Sequence, residues 1–137
     1  MSALLRFESG ARGFLESSRV AVGEQCTYGI EVRGERGALA WDFRRMAELR
    51  VCVGQGYQDA AWLTRFVSPA HGEFGAFQPG AGIPMGFEDL KVIEAERLVR
   101  SIVLGKPVGA TIDDAVVAAT LIEAIVESHQ ERRWTRP

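Results

Sequence analysis

His71 and Glu73 stand two residues apart in a stretch rich in glycine and proline, the right residue types for a general acid/base pair. A lone loop histidine is more often solvated or structural, and that plainer role is preferred here. Seven residues after Glu73, Gly80-Ala81-Gly82-Ile83-Pro84-Met85-Gly86 resembles a phosphate-cradling glycine fingerprint. Its third glycine falls one place late, Pro84 lacks a backbone donor, and no parallel strand–helix–strand unit surrounds it. A loop follows from this, not a nucleotide cradle. Glu94 sits in the row Leu90-Glu94-Leu98-Ile102, which is expected to face the core. Burying that carboxylate unpaired costs on the order of several kcal/mol, so an arginine or backbone donors should meet it; a structural ion pair is preferred, with Arg19 as one candidate partner.

The remaining polar groups suggest structure more than chemistry. Asp42, directly after Trp41, suits a strand-end turn. His129 lies near the end of a helical stretch, where a cation complements the helix dipole. Ser17-Ser18 has no nucleophile-elbow context. Cys26 and Cys52 lack any zinc-ligand or disulfide spacing and fit a reducing compartment. No catalytic residue and no metal ligand is assigned on this evidence.

The elements that hold these residues are legible from periodicity. Cys26, Tyr28, Ile30 and Val32 alternate with Thr27, Gly29, Glu31 and Arg33, which gives strand patterning. Leu39, Trp41 and Phe43 repeat it, as do Leu49, Val51 and Val53; Leu5 and Phe7 open a short strand before the turn at Ser9–Gly13. Gly34-Glu35-Arg36-Gly37 is a tight hairpin connection, and such links force antiparallel neighbours. Phe14–Val22 and Ala61–Val67 carry apolar groups on both faces, so both sides of the sheet are expected to be covered, one by helices and one by a second copy.

After the His71–Gly86 loop the pattern turns helical. A first helix stops at Gly105 and Pro107. Thr111 caps a second, with Asp113 and Asp114 in its first turn. Arg133 to Thr135 is expected to return as a short edge strand. The expected fold class is α+β: one largely antiparallel open sheet of five to six strands with two C-terminal helices on one face, in a single domain over 1–137.

Composition bounds the partners. The 137 residues are 47% hydrophobic and 25% charged with net charge −2, enough for a core but without a concentrated basic face. Neither nucleic acid nor an anionic membrane is an expected partner. Arg132, Arg133 and Arg136 beside Glu131 read as a solvated tail. No stretch has the length of a signal or membrane span, so a soluble, cytoplasmic protein is expected.

Four ordered stretches resemble the C-terminal domain of the Gfo/Idh/MocA (glucose-fructose oxidoreductase / inositol dehydrogenase-like) family. They are Gly13–Arg19; Tyr28–Gly34 through Gly37–Asp42; Phe77-Gln78-Pro79-Gly80 with Gly86-Phe87 and Glu94-Ala95; and Gly105-Lys106-Pro107 leading to Thr111 and Asp114-Ala115. The resemblance implies an NAD(P)-dependent oxidoreductase of a sugar, polyol or related hydroxy compound. It implies that NAD or NADP is held by a Rossmann domain outside this chain, and that the sheet lines the substrate pocket and packs against another subunit. His71, Glu73, Phe77 and Gln78 are then the substrate-loop candidates.

The departures set limits on that implication. Gly105-Lys106-Pro107 joins two helices and is not the family's catalytic Glu-Lys-Pro. Neither histidine has the family's aspartate four residues before it. No catalytic residue is carried over, no cofactor is expected on this chain alone, and the Rossmann domain is expected to be separate or missing. Arg132 stands where the family often places glycine, so that helix end is expected to differ or fray. The leading expectation is a substrate-side and oligomerisation domain, dimeric through the sheet face and inactive alone. The alternative is a non-catalytic, self-associating binding or scaffold module. A small enzyme built on His71 and Glu73 comes third.

Overall fold

The computed structural model describes residues 1–54 and 59–137. Its strands are β1 (Ser2–Arg6), β2 (Arg12–Glu16), β3 (Gly29–Gly34), β4 (Gly37–Asp42), β5 (Glu48–Val53) and β6 (Leu63–Phe66). Its helices are α1 (Phe87–Leu104) and α2 (Ile112–Glu131), with 3-10 turns at Phe43–Arg45 and Gly72–Ala76. The fold is α+β and every strand pair is antiparallel, as the short links required. The strands form two sheets, β1-β2 and β3-β4-β5-β6, where one was expected. The chain divides into two compact units, Met1–Val22 with Arg100–Pro137, and Gly23–Val99. Among the described residues, no helix is long and apolar enough to cross a membrane.

The expected strand Phe14–Val22 is shorter than its pattern suggested, because it leaves extended pairing after Glu16. The Ser17 N–H still reaches the Met1 carbonyl at 2.9 Å, but the Ser18 hydroxyl then accepts from the Val20 N–H at 3.3 Å. Such a local bond offers the backbone an alternative to the ladder.

In the four-stranded sheet the register fixes the faces. Ile30 lies opposite Trp41 and Trp41 opposite Leu49; Val32, Leu39, Val51 and Leu63 follow one another across all four strands. Glu31, Ala40, Arg50 and Thr64 line the reverse face. β6 places Leu63 on the apolar face and Phe66 on the other, the two-sided character its sequence predicted. Gly37 is required where β4 begins, since a Cβ there would collide with the Cys52 carbonyl oxygen of β5.

The apolar face is open. Ile30 is 64% exposed and Leu63 57%, and β3 is exposed at all six positions. A ring cluster gathers at one end: Tyr28, Trp41 and Phe43 meet edge to face with centroids 5.8–6.2 Å apart, and Phe87 of α1 joins Phe43 at 6.4 Å. The Trp41 indole N–H donates to the Met46 carbonyl at 3.1 Å, which fixes its plane.

In the other unit, β1 and β2 form a hairpin closed by the Gly10 N–H donating to the Phe7 carbonyl. α2 starts with a full capping box: the Thr111 hydroxyl accepts from the Asp114 N–H, and the Asp114 carboxylate accepts from the Thr111 N–H at 2.7 Å. Arg132 itself takes the left-handed conformation at the far end (φ 53°), so the helix ends in the usual way on a residue that pays strain for it. The tail is not an edge strand. Side chains hold it instead: the Thr135 hydroxyl donates to the Ala124 carbonyl at 2.7 Å, the Ser128 hydroxyl to the Arg133 carbonyl at 2.6 Å, and Arg6 of β1 lies 4.6 Å over the Trp134 ring.

Candidate functional site

The candidate residues of the long loop share one well-tied segment. The Val67 N–H donates to the Ala47 carbonyl at 2.8 Å, which anchors the loop where β6 ends. A tight turn follows, in which the Ser68 N–H donates to His71 Nδ1 at 3.1 Å and the His71 N–H donates back to the Ser68 carbonyl at 3.0 Å. Nδ1 acting as acceptor leaves the ring proton on Nε2. His71 therefore closes a turn, the plainer of its two expected roles.

Glu73 lies in the first turn of the 3-10 segment and meets Arg97 of α1, whose Nη2 and Nε lie 2.8 and 3.1 Å from Oε2. This ion pair joins loop to helix, and both side chains keep substantial solvent contact. His71 and Glu73 lie two residues apart, yet each is committed to a different structural bond. Phe77 ends the turn, its N–H donating to the Phe74 carbonyl at 3.0 Å.

Gln78 is the buried member of the group, only 6% exposed. Its N–H donates to the Phe74 carbonyl at 2.8 Å, and its side-chain amide donates to the Ile83 carbonyl. That second bond draws the 78–83 stretch into a closed loop, with the Gly82 N–H directed at the Val67 carbonyl. The Gly86 N–H then donates to Asp89 Oδ2 at 2.7 Å, setting the start of α1. The glycines near 80–86 shape this loop, consistent with the loop reading of that stretch.

Glu94 requires a correction. Its side chain is 68% exposed and pairs with Lys91 Nζ at 2.8 Å, so the buried pair expected with Arg19 loses its physical ground. Arg19 is exposed. The error lies in the row: steps of four residues drift about 40° each around a helix, so Leu90 and Ile102 differ by about 120°. The less exposed positions of α1 are Leu90, Ile93, Glu96, Arg100 and Ser101, while Leu98 and Ile102 are exposed.

Asp42 is the turn residue its position suggested. Its carboxylate accepts from the Arg44 N–H at 2.9 Å and from the Arg44 guanidinium, with Nη2 at 2.9 Å. The guanidinium bond, then the backbone N–H, hold this carboxyl below the usual aspartate range. Asp114 is held low likewise, by the Thr111 N–H first and its hydroxyl second. Among the described residues, no group of three or more His, Cys, Asp or Glu side chains is placed to hold a metal ion. What the segment offers chemically is a shaped, internally bonded loop carrying one buried amide.

The chain belongs to a family of oxidoreductases: residues 1–136 match the profile described as the oxidoreductase family (GFO/IDH/MocA), C-terminal alpha/beta domain. Among individual proteins, it is similar to the levoglucosan dehydrogenase of Pseudarthrobacter phenanthrenivorans, 29% identical over 132 residues. That match takes in 96% of this chain but 34% of the dehydrogenase, so the chain spans about a third of its relative. A solved levoglucosan dehydrogenase in complex with NADH and levoglucosan superposes with a TM-score of 0.88 at 28% identity, covering 96% of this chain and 36% of that one. An NAD binding oxidoreductase from Klebsiella pneumoniae gives 0.86 at 29% identity, covering 98% and 36%.

Proposed function

We propose that this chain is the substrate-side and self-association domain of an NAD(P)-dependent oxidoreductase that acts on a sugar, polyol or related hydroxy compound in the cytoplasm. The observation that carries the reading is the match of nearly the whole chain to about a third of a sugar dehydrogenase. In this reading residues 1–137 work as one domain, and the long loop with Gln78 at its centre borders the substrate. The open apolar face of the β3–β6 sheet supports a homodimer contact.

Hydride transfer needs a held nicotinamide and a proton relay, and the candidate acid and base here are both taken by structural bonds. The chain alone is therefore inactive, with the nucleotide supplied by a separate Rossmann domain. Titration calorimetry of this chain with NADH and with NADPH tests this. No heat of binding is expected, and micromolar affinity for either nucleotide would overturn it. Light scattering at high concentration tests the self-association, with dimer mass expected and a persistent monomer counting against it.

The second reading is a self-associating scaffold module with no enzyme partner. The engagement of both His71 and Glu73 in structural bonds favours it over a small independent enzyme. A glycine-fingerprint nucleotide-binding sequence encoded immediately upstream of Met1 would decide for the oxidoreductase.

A further inference from the structure

We draw no further inference here: the strongest candidate, the open apolar face of the four-stranded sheet around Ile30, Val32, Leu39 and Leu63, is the surface already proposed for self-association, and nothing in the structure shows what covers it.

Discussion

The side-chain amide of Gln78 donates to the backbone carbonyl of Ile83, five residues ahead, from a position that is almost fully buried. A glycine- and proline-rich loop is thereby stitched to itself by one side chain. Replacing Gln78 with alanine removes the stitch and leaves a gap beneath it. A loss of about 1 kcal/mol is expected in urea denaturation, the usual net contribution of one hydrogen bond, since the Ile83 carbonyl left behind belongs to an exposed residue. Limited proteolysis should then open new cuts near Gly80–Gly86; an unchanged digestion pattern would show the loop is held by something else.

The α2 cap gives a second prediction. Thr111→Ala deletes the hydroxyl that accepts from the Asp114 N–H, and about 1 kcal/mol of stability should go with it. Thr111→Asp keeps an acceptor and should restore most of the loss in the same denaturation experiment.

At the other end of α2, Arg132→Gly should stabilise the protein by up to about 1 kcal/mol, because glycine takes the left-handed conformation without the Cβ penalty. A thermal melt that falls would mean the Arg132 side chain contributes more than its backbone costs.

Acid sensitivity follows from Asp42 and Asp114. Both carboxyls titrate lower in the folded chain than in the unfolded one. The unfolded state therefore binds more protons as pH falls, and stability declines. The contribution is whole above about pH 4, the ordinary aspartate value, and disappears as pH drops through the lower folded values. Asp42→Asn together with Asp114→Asn should flatten the stability–pH profile in that acidic window and leave its neutral slope unchanged.

Gly37→Ala is expected to destabilise by at least about 1 kcal/mol, since the new Cβ meets the Cys52 carbonyl of the neighbouring strand. Amide exchange should report this first in β4 and β5.

Much of this architecture could be read in advance, for a physical reason. In β3 to β5 an alternation of apolar and polar residues, cut by Gly34 and Gly37, leaves one antiparallel register that keeps Ile30, Leu39 and Val51 on a common side. Caps were equally plain, because Thr111 and Asp114 satisfy each other within four residues. What misled was α1, where a row of equal steps looked like a face although a helix turns past it. What stayed hidden was tertiary: Glu73 meets Arg97 across 24 residues, and no local pattern announces that pairing. Gln78 stood among the loop candidates, but its burial and its bond to Ile83 came only with the fold.

The three tryptophans are distributed unevenly over the two compact units, and each has a distinct neighbour. Trp41 donates a hydrogen bond at the ring cluster, and Trp62 carries the Arg50 guanidinium 4.7 Å above its ring, both within Gly23–Val99. Trp134 alone lies in the other unit, under Arg6. Intrinsic fluorescence can thus be divided into one optical channel per unit: Trp134→Phe leaves the Gly23–Val99 signal, and Trp41→Phe with Trp62→Phe leaves that of the other unit. Coincident or separated transitions in those channels would show whether the halves melt as one cooperative body or in succession.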